Sequence, residues 1–180
     1  MYKHCATEES ARRQRQLESC LLELMLQHEF SQITISHICD RAGISRKSFY
    51  RYFSSKEGCL CALLDHAIFD GASFYLPSHS DTQSALIIYE RFFQYWKEQY
   101  ALLDALCQNN LSMLLVERML VYISQEEQEF RILYRGQQGD AHEKSLFYIG
   151  GIMSMVLDWH RTGYRKSTAQ MSRILEDLIS

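Results

Sequence analysis

The chain has 180 residues, enough for one compact unit or for a small domain and a larger one sharing a core. Its 47% hydrophobic content and single proline, Pro77, point to a soluble, globular and mostly helical protein. A net charge of -3 excludes a wholesale nucleic-acid binder, and no secretory hydrophobic region or transmembrane-length apolar run is present, so a cytoplasmic location is expected.

The charge is unevenly spread. Residues 1–58 hold nine Lys/Arg against seven Asp/Glu, and the remainder holds ten against fifteen. The basic excess therefore sits at the N-terminal end. The six cysteines lack CxxC spacing, and the side chains of Cys59 and Cys61 diverge on a helix, so neither a zinc site nor any other cofactor is expected. Cys39, Cys59 and Cys61 read as small apolar packing residues.

Residues 1–11 are polar and aperiodic. Arg12, Arg13 and Arg15 fit either a contact with DNA backbone or a solvated helix start. A helix is predicted from Glu8 or Ser10 to His28, with Leu17, Leu21, Leu24, Met25 and His28 as its apolar stripe. Phe30 and Ile33 fill the following corner. Thr34 is a good N-cap for a short helix carrying Ile35 and Ile38 inward. Gly43 ends it where a left-handed residue is wanted, and Ile44 is predicted to plug the core. Ser45 caps a second short helix, Arg46 to about Phe53.

On that second helix Phe49 and Phe53, spaced i,i+4, face inward. Arg46, Lys47, Ser48, Tyr50 and Arg51 lie on the other side or at the exposed start. An apolar back with a Ser/Arg/Lys/Tyr front suits a DNA major groove. Arg46 and Lys47 are the base-reading candidates, since both donate to guanine O6 and N7. Thr34 and Tyr50 are phosphate candidates. Ser36 and His37 lie on the outward side of the preceding helix, and Ser45 is at the tip. Tyr52 fits contact and packing equally. The next helix is predicted from Ser54 or Ser55 to about Phe74. Lys56 and Glu57 are in its first turn, and Leu60, Leu63, Leu64, Ala67 and Ile68 form its apolar face. Its start, with free amides, a helix dipole and the Lys56 ammonium, forms a phosphate seat.

The run AGISRKSFYRYFSSKE, preceded by TISHICDR, resembles the helix-turn-helix of the TetR family of bacterial transcriptional regulators. The likeness covers roughly residues 12–65. The remainder is similar only in length, helical texture and the pattern Gly150-Gly151…Trp159…Gly163. The resemblance implies an all-α fold of about nine helices. An N-terminal three-helix DNA-binding head, residues 1–55, would sit on a helical ligand-binding and dimerisation body, residues 56–180. It also implies a backbone contact from Lys56. The chain departs from the family at His28-Glu29-Phe30, where a glycine near position 29 is usual.

Tyr75 to Asp81 reads as a loop, and a helix apolar nearly all round follows over 82–99. A short helix spans Tyr100 to Cys107 and ends near Asn109-Asn110. A long helix from Leu111 to Leu133 and a polar turn from Arg135 to Asp140 come next. A helix from Ala141 to Thr162 carries Gly150-Gly151, where close helix approach would offset about 1 kcal/mol per glycine. Gly163 ends it, and Ser167 or Thr168 caps the last helix, whose stripe is Met171, Ile174, Leu175 and Leu178.

Gly150, Gly151, Met155, Trp159, Ile174 and Leu178 are the candidate dimer face, in the four-helix arrangement that the resemblance implies. The architecture also implies an effector cavity in the body, with Phe92, Phe93, Trp96, Met113 and Met153 as candidate lining residues for a small apolar or aromatic molecule. No catalytic constellation can be argued from spacing. The expected function is a homodimeric repressor on a palindromic double-stranded DNA operator. An activator of the same fold, or a helical protein-interaction module without operator binding, are the alternatives.

Overall fold

The structure, a computed structural model, describes residues 7–75, 84–125 and 141–179. Nine α-helices are found among them: α1 Glu8–Met25, α2 Ile35–Ala42, α3 Arg46–Tyr52, α4 Lys56–Tyr75, α5 Ala85–Glu98, α6 Tyr100–Gln108, α7 Ser112–Gln125, α8 Ala141–Arg161 and α9 Thr168–Ile179. The fold is all-α, with one 3-10 turn at Phe30–Gln32. Among the described residues no helix is long and apolar enough to cross a membrane.

The chain forms two compact units, and the three divisions fall inside α4, inside α6 and at the start of α7. The first takes the chain up to Ala67 together with Asp104–Leu111. The apolar stripe of α1 (Leu17, Leu21, Leu24 and Met25) is buried in it with Ile33, Ile38, Phe49, Phe53, Leu60 and Leu64. The i,i+4 and i,i+3 spacing puts these side chains on single faces, and their burial is the main force holding the short helices. Also buried is Glu18, whose Oε2 lies 2.8 Å from His66 Nδ1. Burial, then the nearby Glu18 carboxylate, push the Cys59 thiol far up, and burial raises Cys20 and Cys39 as well. All three are therefore protonated packing residues.

The second unit comprises Ile68–Leu103 and the residues from Ser112 onward. In it α9 packs along α5, α7 packs on α8, and α5 touches α8. Its core is rich in rings, with Tyr89, Phe92, Phe93, Trp96 and Trp159 buried beside Met119, Met153, Val156 and Leu175.

Three helices end in the same way. After α2, α6 and α8 a left-handed residue follows (Gly43 at φ 65°, Asn110 at φ 56°, Gly163 at φ 72°). The next amide reaches back to a carbonyl five residues earlier: Ile44 to Cys39, Leu111 to Leu106, and Tyr164 to Trp159. These bonds satisfy carbonyls that the helix leaves open.

Several boundaries differ from expectation. The first helix stops at Met25, not His28, because the chain must turn there to bury Ile33; His28 is exposed instead of completing the stripe. Tyr75 belongs to α4 and is fully buried, not in a loop, since its ring joins an aromatic cluster. Ser84 is extended, so α5 begins at Ala85, later than predicted. The expected extension of α7 to Leu133 and the turn at 135–140 lie outside the described residues, as do Pro77 and the first six residues.

Candidate nucleic-acid interface

The helix-turn-helix is built by local signals. Thr34 is extended, and its Oγ1 accepts from the His37 amide at 3.2 Å. In return the Thr34 amide donates to His37 Nδ1 at 3.4 Å, completing a reciprocal cap. That bond makes Nδ1 the acceptor and leaves the ring proton on Nε2. Ser45 caps α3 in the same manner, its Oγ accepting from the Ser48 amide at 3.2 Å and lying 3.1 Å from Ser48 Oγ. The tip of α3 is thereby ordered before any contact is made.

The back of α3 is fixed by Phe49 and Phe53, both buried, with ring centroids 5.4 Å apart. Ile44, predicted as a core plug, is only half-buried. Phe49 also meets the edge of Tyr50 at 5.8 Å, and Tyr50 itself is 46% exposed. Thr34, His37, Ser45, Arg46, Lys47 and Arg51 are exposed; Ser36, Ser48 and Tyr52 are half-buried. The outward residues of α3 thus form one polar, cationic face about two turns long. Such a face can donate to base edges from its start and to phosphates from its flanks.

Residues 21–63, which contain this unit, match the family model of bacterial regulatory proteins, tetR family. This segment is a TetR-family helix-turn-helix region. Solved structures extend the likeness over nearly the whole chain. A TetR-family transcriptional regulator from Streptomyces coelicolor is 23% identical, covering 93% of this chain and 78% of that one, with a TM-score of 0.58. The fatty acid degradation regulator FadR from Bacillus halodurans is 15% identical, covering 93% and 94%, with a TM-score of 0.67. The TetR-family repressor AlkX from Dietzia, implicated in biodegradation of n-alkanes, is 13% identical, covering 92% of each chain, with a TM-score of 0.57. At these identities the structures establish a shared fold. No curated protein matches the chain in sequence. TetR-family regulators bind DNA and function as dimers.

Within this helix-turn-helix unit, two side chains from distant parts of the chain hold the turn at residues 26–33. Asn109 Nδ2 donates to Met25 O at 3.2 Å, and its Oδ1 accepts from the Phe30 amide. Lys56 Nζ donates to three carbonyls, Phe30 at 2.6 Å, Ile33 at 2.8 Å and Ser31 at 3.2 Å, and lies 4.6 Å above the Phe30 ring. Glu29 consequently keeps an ordinary extended conformation, φ -61° and ψ 135°. Asn109 carried no sequence signal beyond marking a helix end.

The Lys56 ammonium has as many acceptors as donors, all within the protein. The Gly58 amide, another member of the expected phosphate seat, is held by Ser55 Oγ at 3.1 Å. The start of α4 is thus partly committed to holding the turn. Lys56→Met is expected to lower stability by about 2 kcal/mol, read as a drop in melting temperature, because charge-assisted bonds to carbonyls are lost. The salt slope of DNA binding should stay unchanged; a slope reduced by about 0.9 would mark Lys56 as a phosphate contact.

Other contacts that the sequence did not announce tie α2 to α1. Arg41 bonds Glu23 at 2.9 Å and Gln27 at 3.2 Å, and Gln16 Nε2 donates to Ala42 O at 3.2 Å. Arg13 is paired with Glu9 at 2.8 Å, while Arg12 and Arg15 are exposed. Among the described residues no group of three His, Cys, Asp or Glu side chains is placed to hold a metal ion.

In the second unit Phe92, Phe93, Trp96 and Met153 are buried together with the ring core. Met113 is not with them: it is 63% exposed, because the buried side of α7 carries Leu115, Val116, Met119 and Ile123. Trp159, expected on the dimer face, is instead buried in the core of the second unit. Its ring meets Phe93 at 5.6 Å and Tyr164 at 4.8 Å, and its Nε1 donates to Lys166 O at 2.9 Å. The close approach expected at Gly150-Gly151 is absent among the described residues: a Cβ on either glycine would meet nothing there within 4 Å. Phe147 (77% exposed), Gly151, Ser154 and Asp158 follow one another along the open side of α8. Met155 and Ile174 are half-buried, and Leu178 on α9 is 69% exposed.

Proposed function

We propose that this chain is a TetR-family protein, a cytoplasmic, homodimeric repressor. It binds a palindromic operator with one α2–α3 head per half-site and is released by a small apolar or aromatic effector. The observation that carries the reading is the α3 surface. Arg46, Lys47, Tyr50 and Arg51 stand outward on a helix whose back is locked by Phe49 and Phe53. A cap and a buried back are common to short helices; what favours DNA reading is the set of Arg, Lys and Tyr side chains that they hold outward at fixed positions. The residues proposed to touch DNA are Arg46 and Lys47 at bases, with Thr34, Ser36, His37, Ser45, Ser48, Tyr50 and Arg51 at backbone. Tyr52 and Lys56 act chiefly inside the head.

The effector would occupy the second unit, where aromatic and methionine side chains are concentrated. Its binding would favour a head spacing that no longer matches successive major grooves. Helix α4 has residues in both units and offers a route for the signal.

Fluorescence anisotropy with the DNA upstream of the coding sequence, run at several salt concentrations, tests the reading. Salt-dependent binding that is much tighter than to unrelated DNA supports it. Binding no tighter than to unrelated DNA, repeated with a random-oligonucleotide pool that yields no preferred site, would leave a helical interaction module.

The second subunit would pack on the open side of α8 and the adjoining face of α9. Gly151 leaves room there for a partner helix to approach closely, which offsets its helical cost. Gly151→Arg should fold normally, since the space around its Cβ is open among the described residues. It should convert a dimer to a monomer in light scattering at micromolar concentration. A variant that remains dimeric would move the interface elsewhere.

A further inference from the structure

Among the described residues of the second unit, two side-chain polar atoms are buried without a partner, the hydroxyl of Tyr75 and the indole nitrogen of Trp96. Both residues are fully enclosed. Such atoms are rare in folded proteins, where buried donors are bonded to protein, water or ligand. Here the two lie in a single ring cluster. Tyr75 meets Phe92 at 5.1 Å and Tyr95 at 6.3 Å; Trp96 meets the same two rings at 6.4 Å and 5.5 Å. Gly71 allows the packing, for a Cβ there would stand 2.7 Å from the Tyr95 ring and 3.1 Å from that of Tyr75. The other tryptophan of the unit shows the ordinary outcome, its Nε1 bonded to Lys166 O.

The chemistry of the two atoms specifies what is missing. An indole N–H donates and cannot accept. Burial, then the neighbouring Tyr122 and Tyr95, raise the Tyr75 phenol well above the usual range, so it too keeps its proton and donates. Two donors call for an oxygen acceptor. Phe92 and Tyr95, the rings that Tyr75 and Trp96 share, are neutral, and a carboxylate placed among them would lose its hydration without gaining a cation. A neutral carbonyl oxygen meets the need at the least desolvation.

We propose that Tyr75 and Trp96 are the polar end of an effector site in the second unit. The site takes a neutral carbonyl compound, a ketone, ester or lactone, whose apolar part lies among the aromatic side chains. This rests on the effector-responsive reading above and narrows it to a chemical class. The two donors set preference among apolar molecules of equal shape, since rings alone do not distinguish a carbonyl from a methylene.

The test uses the full chain and matched probes: acetophenone against α-methylstyrene, 2-nonanone against 2-methyl-1-nonene, and benzoate and nonanoate as the charged comparison. Affinity is read by calorimetry, and the Trp96 indole N–H by proton–nitrogen correlation spectroscopy. A Trp159→Phe variant assigns the two indole signals. At least one ketone should bind about tenfold more tightly than its alkene partner and shift the Trp96 signal downfield. Tyr75→Phe and Trp96→Phe should each bring that ratio towards one while the protein still folds. The better ketone should also lower operator affinity.

Equal binding of ketone and alkene overturns the proposal, as does tightest binding of a carboxylate. So does a Trp96 signal that no ketone moves. Operator binding, measured on the same preparations without probe, separates the two readings. If it is intact and carbonyl preference is absent, only the effector class is wrong.

Discussion

Replacing Phe49 with alanine should unfold the DNA-binding unit. The side chain is fully buried, its ring packs 5.4 Å from Phe53 and 5.8 Å from Tyr50, and it is the inward anchor of a helix only seven residues long. Large-to-small changes of buried phenylalanine cost about 3–5 kcal/mol. A helix as short as α3 has no stability of its own to set against that loss. The expected observations are a markedly lower melting temperature and loss of DNA binding together. Tyr50→Phe, one position away and outward, should leave the unfolding free energy within about half a kcal/mol of wild type. If Phe49→Ala melted like wild type, α3 would have to be held by something other than its aromatic back, and the rigid reading-head argument would fail with it.

The double variant Arg46→Ala, Lys47→Ala should do the opposite: the fold stays and the affinity goes. Both side chains are exposed at the first turn of α3, and neither forms an ion pair among the described residues. Each specific base contact contributes on the order of 1–3 kcal/mol, so the pair should weaken operator binding by roughly 100-fold or more. If one of the two sits on a phosphate, the salt slope should also drop by about 0.9. Anisotropy titrations with operator and scrambled DNA separate these effects. A loss confined to operator marks base reading, and an equal loss on both marks backbone contact. No change on either would remove the α3 tip from the interface. Lys56→Met supplies the contrast, since its ammonium is occupied by three carbonyls of the first unit.

The helix-turn-helix was legible because its signals act over three or four residues. Thr34 and Ser45 each cap the amide three positions on, and Gly43 supplies the left-handed step; all are visible in a ten-residue window. The spacing of Phe49 and Phe53 fixed which side of α3 is buried, and so which residues point out. Their burial needs no knowledge of the rest of the chain. Gly163 and Ser167 were equally readable, whereas Ser84 makes no side-chain cap bond, so element order was legible and the start of α5 was not.

The sequence by itself therefore determined the class of fold, the reading helix and its outward face. Tertiary structure decided how each remaining side chain is used. Asn109 reaches Met25 and Phe30, 84 and 79 positions away, and Lys56 reaches back 26, 25 and 23 positions to hold the same turn. Trp159 turns inward to Phe93 and the Lys166 carbonyl, while Met113 turns out to solvent. Tyr75 closes α4 in a ring cluster with Phe92 and Tyr95 of α5. A lysine, an asparagine or a tryptophan has the same local signature whether its polar atoms meet a carbonyl, a ligand or water. Only the packing of distant segments supplies or withholds the partner, and no short-range pattern records that.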